Sequence, residues 1–257
     1  MPDARHVSRP DLVQCLDQTL QPHLFKDYGP NGLQVEGRMQ VGRLVTGVTA
    51  SLALIEAAIV AQADAVLVHH GLFWRGQEGR VTGWMKRRLH QLLTHDVNLL
   101  AYHLPLDAHA QWGNNAQLAL RLGVEVLPNA QGRFGEQSLG WMGEVTPMRL
   151  SEWAQRVQAL VQRPITCVGD AQRPVQRVAL CTGGAQSYFE AAIAAGADVF
   201  VTGEISEPQA HYARETGVAY IACGHHASER YGVQAVGEAM ALRWGIEHQF
   251  IDIDNPA

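Results

Sequence analysis

The order of apolar runs does most to limit what this chain can fold into. Runs of strand length at 43–49, 65–68, 97–102, 177–181, 198–202 and 218–222 are separated by helical stretches at 52–62, 82–95, 115–122, 186–195, 207–216 and 228–244. Near-continuous apolar runs are what strands covered on both faces require, and their alternation with helices predicts an α/β fold with mainly parallel central sheets. An amphipathic helix opens the chain, because Ser8 and Asp11 form a capping-box-like pair and Leu12, Leu16 and Leu20 follow at helical spacing. YGPNGLQVEG at 28–37 reads as a loop with a turn at Asn31-Gly32.

An internal repeat sharpens the expectation. AAIVAQADAVLVHHG at 57–71 aligns without gaps on AAIAAGADVFVTGEI at 191–205, an offset of 134, and RLVTGV at 43 matches RVALCT at 177 under the same offset. Two βαβ units of shared architecture follow, with Glu204 in the place of His70. Both residues fall just past the carboxyl end of a strand, where open α/β sheets gather ligands. The Gly- and Pro-rich stretch 128–147 marks a boundary. The expected division is a first unit of 1–127 completed by 218–257, with a second unit, 128–217, inserted.

At 257 residues and 47% hydrophobic the chain can bury a substantial core. Its net charge of −5 argues against a protein built to coat nucleic acid or an anionic membrane. No run approaches the roughly 18 apolar residues of a membrane span. MPDARHVSRPDL lacks the apolar centre of a signal peptide, so a cytoplasmic protein is expected. The four cysteines contain no Cys-x-x-Cys pair, so any metal must be held mainly by histidine and carboxylate.

Three segments offer such groups, each after an apolar run. VLVHHGLFW at 66–74 presents His69 and His70 at a strand end, where each is either a metal ligand or a partner of a nearby carbonyl. Consecutive strand residues point to opposite sides, so a turn at Gly71 is needed to bring the pair together. YHLPLDAHAQWGNN at 102–115 carries His103 and Asp107, and Pro105 is expected to keep them off a common helix face. Asp107 is either a turn residue or a metal-bridging carboxylate. In GHHASER, His225 and Glu229 are four apart and share a face if the long helix begins near His225. The other reading of this segment is a helix cap through Ser228 and Glu229. His69, His70, Asp107, His225 and Glu229 exceed what one catalytic zinc takes, which favours a pair of divalent ions. Zn, Fe, Mn, Ni and Co all suit such donors.

NGLQVEG, VHHGLFW, YHLPLD, TGE at 202–204 and GHHASERYG, in this order, resemble the Nif-three-like dinuclear metal-centre proteins, known in bacteria as GTP cyclohydrolase I type 2 homologues. The resemblance implies that His69, His70, Asp107, His225 and Glu229 hold two metal ions, with His103 and His226 near the site. It implies two similar α/β units facing across a metal-containing cleft, in a homohexamer. The reaction it implies is hydrolytic, with a purine nucleotide such as GTP as substrate. His103 or His226 would then shuttle protons, Arg75, Arg230 and Lys26 would be phosphate contacts, and Phe73 or Trp74 would stack on a base. Glu204 joins the substrate contacts by its strand-end position. Two non-enzymatic readings stand beside this one: a metal-binding scaffold or regulatory partner, and a ring that grips single-stranded nucleic acid.

Overall fold

The computed structural model describes residues 5–257, so the first four residues of MPDARHVSRPDL lie outside the described residues. The chain divides into two compact units, one running up to Gly113 and resumed at Gly232–Asp254, the other made of Asn114–Tyr231 and Asn255–Ala257. No helix among the described residues is long and apolar enough to cross a membrane.

The first unit is built on a five-stranded sheet in the order Glu247–Phe250, Arg43–Thr49, Ala65–His70, Asn98–Ala101, Gly32–Val35. The first four strands run parallel and the last antiparallel. Alternate strand residues feed two separate cores, as the two-residue strand period demands. Leu44, Leu67 and Leu100 meet the Arg9–Leu20 helix and Val233, Val236 and Met240 on one face. Val45, Val66 and Leu99 meet Leu54, Ile55 and Leu92 on the other. Ser8 caps the opening helix through the Asp11 amide, as its sequence predicts. Asn31-Gly32 is no hairpin turn, because Gly32 already begins the edge strand Gly32–Val35.

The second unit has the strand order Thr166–Val168, Ala219–Ala222, Val199–Thr202, Pro174–Leu180, Gly140–Arg149, Glu125–Val126. Only its three central strands, Ala219–Ala222, Val199–Thr202 and Pro174–Leu180, are mutually parallel, while Thr166–Val168 and Gly140–Arg149 join antiparallel. The mainly parallel sheet expected of both units therefore describes the first, and the second is mixed. Trp153, Val157, Leu118 and Leu122 cover one face of it. On the other, Phe189 stacks on Phe200 and Tyr220 meets both edge to face.

The chain passes between the units at Gly113/Asn114 and Tyr231/Gly232, not at 127 and 218. The Asn114–Leu122 helix packs Leu118 and Leu122 into the second core, and Ala219–Ala222 pairs with Val199–Thr202, so both belong to the second unit. Loop composition is a local signal; strand pairing across many residues decides the division.

The repeat is structural. Val45 faces Val66 in the first sheet and Ala179 faces Phe200 in the second, the same register moved by the sequence offset of 134. Asp64 Oδ2 accepts the amides of Gly42 and Arg43 at 2.8 and 2.9 Å, and Asp198 Oδ2 accepts those of Gln176 and Arg177 at 2.9 and 2.8 Å. Arg43 donates to the Ala61 carbonyl as Arg177 donates to that of Ala195. A half-buried aspartate that satisfies the amides at the start of the neighbouring strand fixes where that strand starts, hence the register that delivers both strand ends.

Candidate metal centre

In the first unit the Ala65–His70 strand ends on His69, fully buried, and His70, half-buried. His69 Nδ1 donates to the Tyr102 carbonyl at 3.0 Å, which turns Nε2 toward Asp107 Oδ1 at 3.5 Å. His70 Nδ1 lies 3.0 Å from Thr49 Oγ1. The two rings lie 4.5 Å apart although they neighbour each other along the chain. Gly71 contributes space and not an unusual turn: a Cβ there would lie 2.4 Å from the Gln34 side chain, whose Oε1 accepts the Leu72 amide.

Pro105 does not keep His103 and Asp107 out of a helix. Leu104–Ala108 is helical, with His103 at its N-cap and Pro105 in its first turn, where the missing N–H costs no hydrogen bond. The Asp107 amide donates to the His103 carbonyl at 3.2 Å, and Asp107 is buried. The His103 ring is held by a residue the motifs did not flag. Its Nδ1 donates to Asp27 Oδ1 at 2.7 Å, while Asp27 also accepts the Leu104 and Tyr28 amides and the Asn31 side chain. Burial raises the Asp27 pKa, but His103, the Asn31 side chain and the Tyr28 amide outweigh it and hold the carboxyl below its ordinary value. The rings of His69 and His103 are 5.0 Å apart, and the Trp74 ring stands edge-on to His103 at 5.0 Å. Ligand atoms of His69, His70 and His103 lie within 4.8 Å of one another, a group that could hold a metal ion.

In the second unit the long helix expected at 228–244 is interrupted. A single turn, His225–Ser228, precedes Arg230–Trp244, with Glu229 at the break. The four-residue spacing survives the break, since His225 Nε2 and Glu229 Oε2 are 3.2 Å apart. Glu229 is 2% exposed and sits over Gly183, where φ is +71° and a Cβ would be 2.0 Å from Glu229 Oε1. The Gly183 amide donates to Ser228 Oγ at 3.0 Å, and Ser228 Oγ donates to the His225 carbonyl at 2.8 Å. Glu204, expected among substrate contacts, accepts from His225 Nδ1 at 2.6 Å and from Gln186 Nε2 at 3.2 Å. Burial works against the imidazolium, but Glu229 and Glu204 overcome it and lift the His225 pKa to about 9.

Four imidazoles, His69, His70, His103 and His225, thus each engage an oxygen through Nδ1 and present Nε2 on the opposite edge. Metal-bound histidines are held this way, the second nitrogen fixing tautomer and ring plane. In each unit a buried carboxylate accompanies these rings, Asp107 beside His69 in the first and Glu229 beside His225 in the second, so each offers imidazole and carboxylate without thiolate, which fits a borderline divalent cation.

Other expectations fare differently. His226 is 8% exposed: on a one-turn helix it lies about 100° round from His225, and its side chain is shielded from solvent. Arg230 donates to the Val161 carbonyl at 2.9 Å, at the end of the Leu150–Val161 helix. Arg75 donates to the Asp27 carbonyl at 2.7 Å and so braces the loop that carries Asp27. Lys26 is exposed. Phe73 packs against the first unit's core, and with Trp74 it lines a small pocket beside His69 and His103.

The family model for Duf34/NIF3 (NGG1p interacting factor 3) matches residues 7–256. A Pseudomonas aeruginosa protein called GTP cyclohydrolase 1 type 2 homolog is 53% identical over 249 residues, covering 96% of this chain and 97% of its own. A Neisseria meningitidis serogroup A protein of the same name is 50% identical over 252 residues, covering 98% and 100%. Among solved structures, one described as protein ybgI of unknown function has a TM-score of 0.93 at 44% identity, over 98% of this chain and 100% of that one. TTHA1606 from Thermus thermophilus has a TM-score of 0.87 at 32% identity, over 98% and 100%. With a match over almost its full length and relatives identical at half of all positions, the chain belongs to the DUF34/NIF3 family.

Proposed function

We propose that the chain is a dinuclear metal-dependent hydrolase whose ligands are His69, His70, Asp107, His225 and Glu229. The observation that carries this reading is the common orientation of the imidazoles, each tied down at Nδ1 with Nε2 presented, beside two buried carboxylates. Two divalent ions in such a set supply a water acidified toward neutral pH and polarise the group that the water attacks. Asp27 keeps the proton on His103 Nδ1, which leaves Nε2 as the basic edge of that ring. We therefore assign proton movement to His103 and not to the buried His226. Glu204 holds the His225 ring through Nδ1 and so acts on ligand orientation.

The name carried by the relatives supports a purine nucleotide such as GTP as substrate, opened at its imidazole ring. Phe73 and Trp74, lining the pocket beside His69 and His103, supply aromatic surface for a base. Arg75 and Arg230 have guanidinium groups engaged with backbone carbonyls, so they carry less of the phosphate role than their charge suggests. A homohexamer in the cytoplasm completes the proposal.

The test is metal analysis of the purified protein with a hydrolysis screen over nucleotides, phosphoesters and peptides, comparing wild type with Asp107→Ala and Glu229→Ala. Two metals per chain and turnover that both variants abolish are the expected result. A wild type without metal would remove the centre. Two metals without turnover would leave a metal-binding scaffold.

A further inference from the structure

We propose that the outer face of the Gly83–Thr94 helix, with the loop that leads into it, binds single-stranded nucleic acid. Residues 75–88 hold five basic side chains (Arg75, Arg80, Lys86, Arg87 and Arg88) against the single acid Glu78, in a chain whose net charge is −5. The helix itself has no acidic residue. Such segregation concentrates positive potential on one patch of an acidic protein, the pattern that attracts a polyanion while the rest of the surface repels it.

The helix divides its sides by function. Leu92 is buried, and Met85 and Leu89 pack against the core of the first unit. Trp84, Arg87 and Gln91 are spaced three and four apart, so they line a different side. Lys86 and Arg87 are exposed. Neither has an ion-pair partner among the described residues. Arg80 pairs with Glu78 and Arg75 braces the Asp27 loop, so the cations available to a ligand are Lys86, Arg87 and Arg88.

Trp84 selects the kind of polyanion. Its side chain is 49% exposed, an unusual place for an indole, and the Arg88 guanidinium lies 4.7 Å from its ring centre. An indole paired with an arginine and flanked by cations is what single-strand binders use: bases stack on the ring while phosphates meet the cations. A duplex keeps its bases stacked on one another and would leave Trp84 without a partner. A membrane surface would ask for a run of apolar side chains beside Trp84; exposed Val81 precedes the helix, but Arg87 and Gln91 stand on the helix side that Trp84 shares. At Gly76, Gly79 and Gly83 an added Cβ would meet nothing within 4 Å, so the backbone around the patch is open to a ligand.

The experiment is fluorescence anisotropy of a labelled oligo-dT about 20 nucleotides long, titrated with the full chain at low and at physiological salt, with and without EDTA. Binding is expected to weaken with salt and to be indifferent to EDTA, which separates it from the metal centre. The double variant Lys86→Glu/Arg87→Glu is expected to lose about tenfold or more in affinity, and Trp84→Ala about fivefold or more. Arg243→Glu, an exposed charge reversal elsewhere in the first unit, should change nothing. All variants should keep the wild-type thermal transition, because the altered side chains are exposed. No binding at low salt would overturn the proposal, as would an equal loss in Arg243→Glu. Trp84-dependent binding to phosphatidylserine vesicles without binding to oligo-dT would assign the face to a membrane instead.

Discussion

At the scale of single residues, the candidate centre depends as much on what is absent as on its donors. Glu229 can be buried beside His225 only because Gly183 has no side chain, and Gly183 sits at φ +71°, a conformation that costs other residues about 1–2 kcal/mol. Gly183→Ala should therefore lower the urea-unfolding free energy by more than that amount, since the new Cβ also meets Glu229, and lower metal content as read by elemental analysis. Gly184→Ala is the control, since a Cβ there would make ordinary contacts at 3.5 Å. The ligand-type residues were legible in the sequence because polar side chains directly after apolar strands stand out. Asp27 and Gly183 were not. Asp27 meets His103 across 76 residues and Gly183 meets Ser228 across 45, and neither lies in a histidine motif. The paired glycines at 183–184 were the available signal, because a close backbone approach is a common reason for such a pair.

At the scale of elements, the aspartate and arginine pairs at the repeat offset set the strands that carry the candidate ligands. Asp64 and Asp198 each satisfy two strand-entry amides, and hydrogen bonds to charged groups contribute about 1.5–3 kcal/mol. Asp198→Asn should cost about that much in urea unfolding. Asp64→Asn should cost somewhat more, since Asp64 also pairs with Arg38. The strands themselves were readable from sequence because buried parallel strands leave unbroken apolar runs. The unit boundaries were not, because the partners of the strand at 219–222 are settled only when the sheet forms. The edge strand Glu247–Phe250 adds a pH dependence. Burial lowers the His248 pKa from 6.5, only partly opposed by Glu238, and the ring lies against Gly237 and 2.9 Å from Thr46 Oγ1. The folded state then binds fewer protons here than the unfolded chain does. Stability from this residue is complete above the unfolded value of 6.5 and is lost as pH falls through the lowered folded value. His248→Gln should flatten the fall of the urea midpoint on acidification from neutral pH, and an unchanged slope would show that other groups control it.

At the scale of the whole molecule, metal binding and stability should be one measurement. Ligand chemistry of this kind binds ions only when the chain is folded, so free metal at about 100 times its dissociation constant adds about 2.7 kcal/mol to stability. For a chain this long each kcal/mol moves the melting temperature by about 2–4 °C, so loaded protein should melt about 5–10 °C above EDTA-treated protein. Zn, Mn, Fe, Co and Ni can be ranked by the shift each produces under identical conditions, which reads affinity without a substrate. In Asp107→Ala and Glu229→Ala the shift should shrink toward zero for every metal. Trp84→Ala should keep the full shift, because the Gly83–Thr94 helix contributes no ligand. The solution mass belongs in the same experiment: light scattering at six times the chain mass, with and without EDTA, would establish the hexamer and whether metal maintains it. A metal-dependent shift that persists in both ligand variants would move the centre away from Asp107 and Glu229. In that case the three-imidazole group of His69, His70 and His103 would be the donors left to carry it.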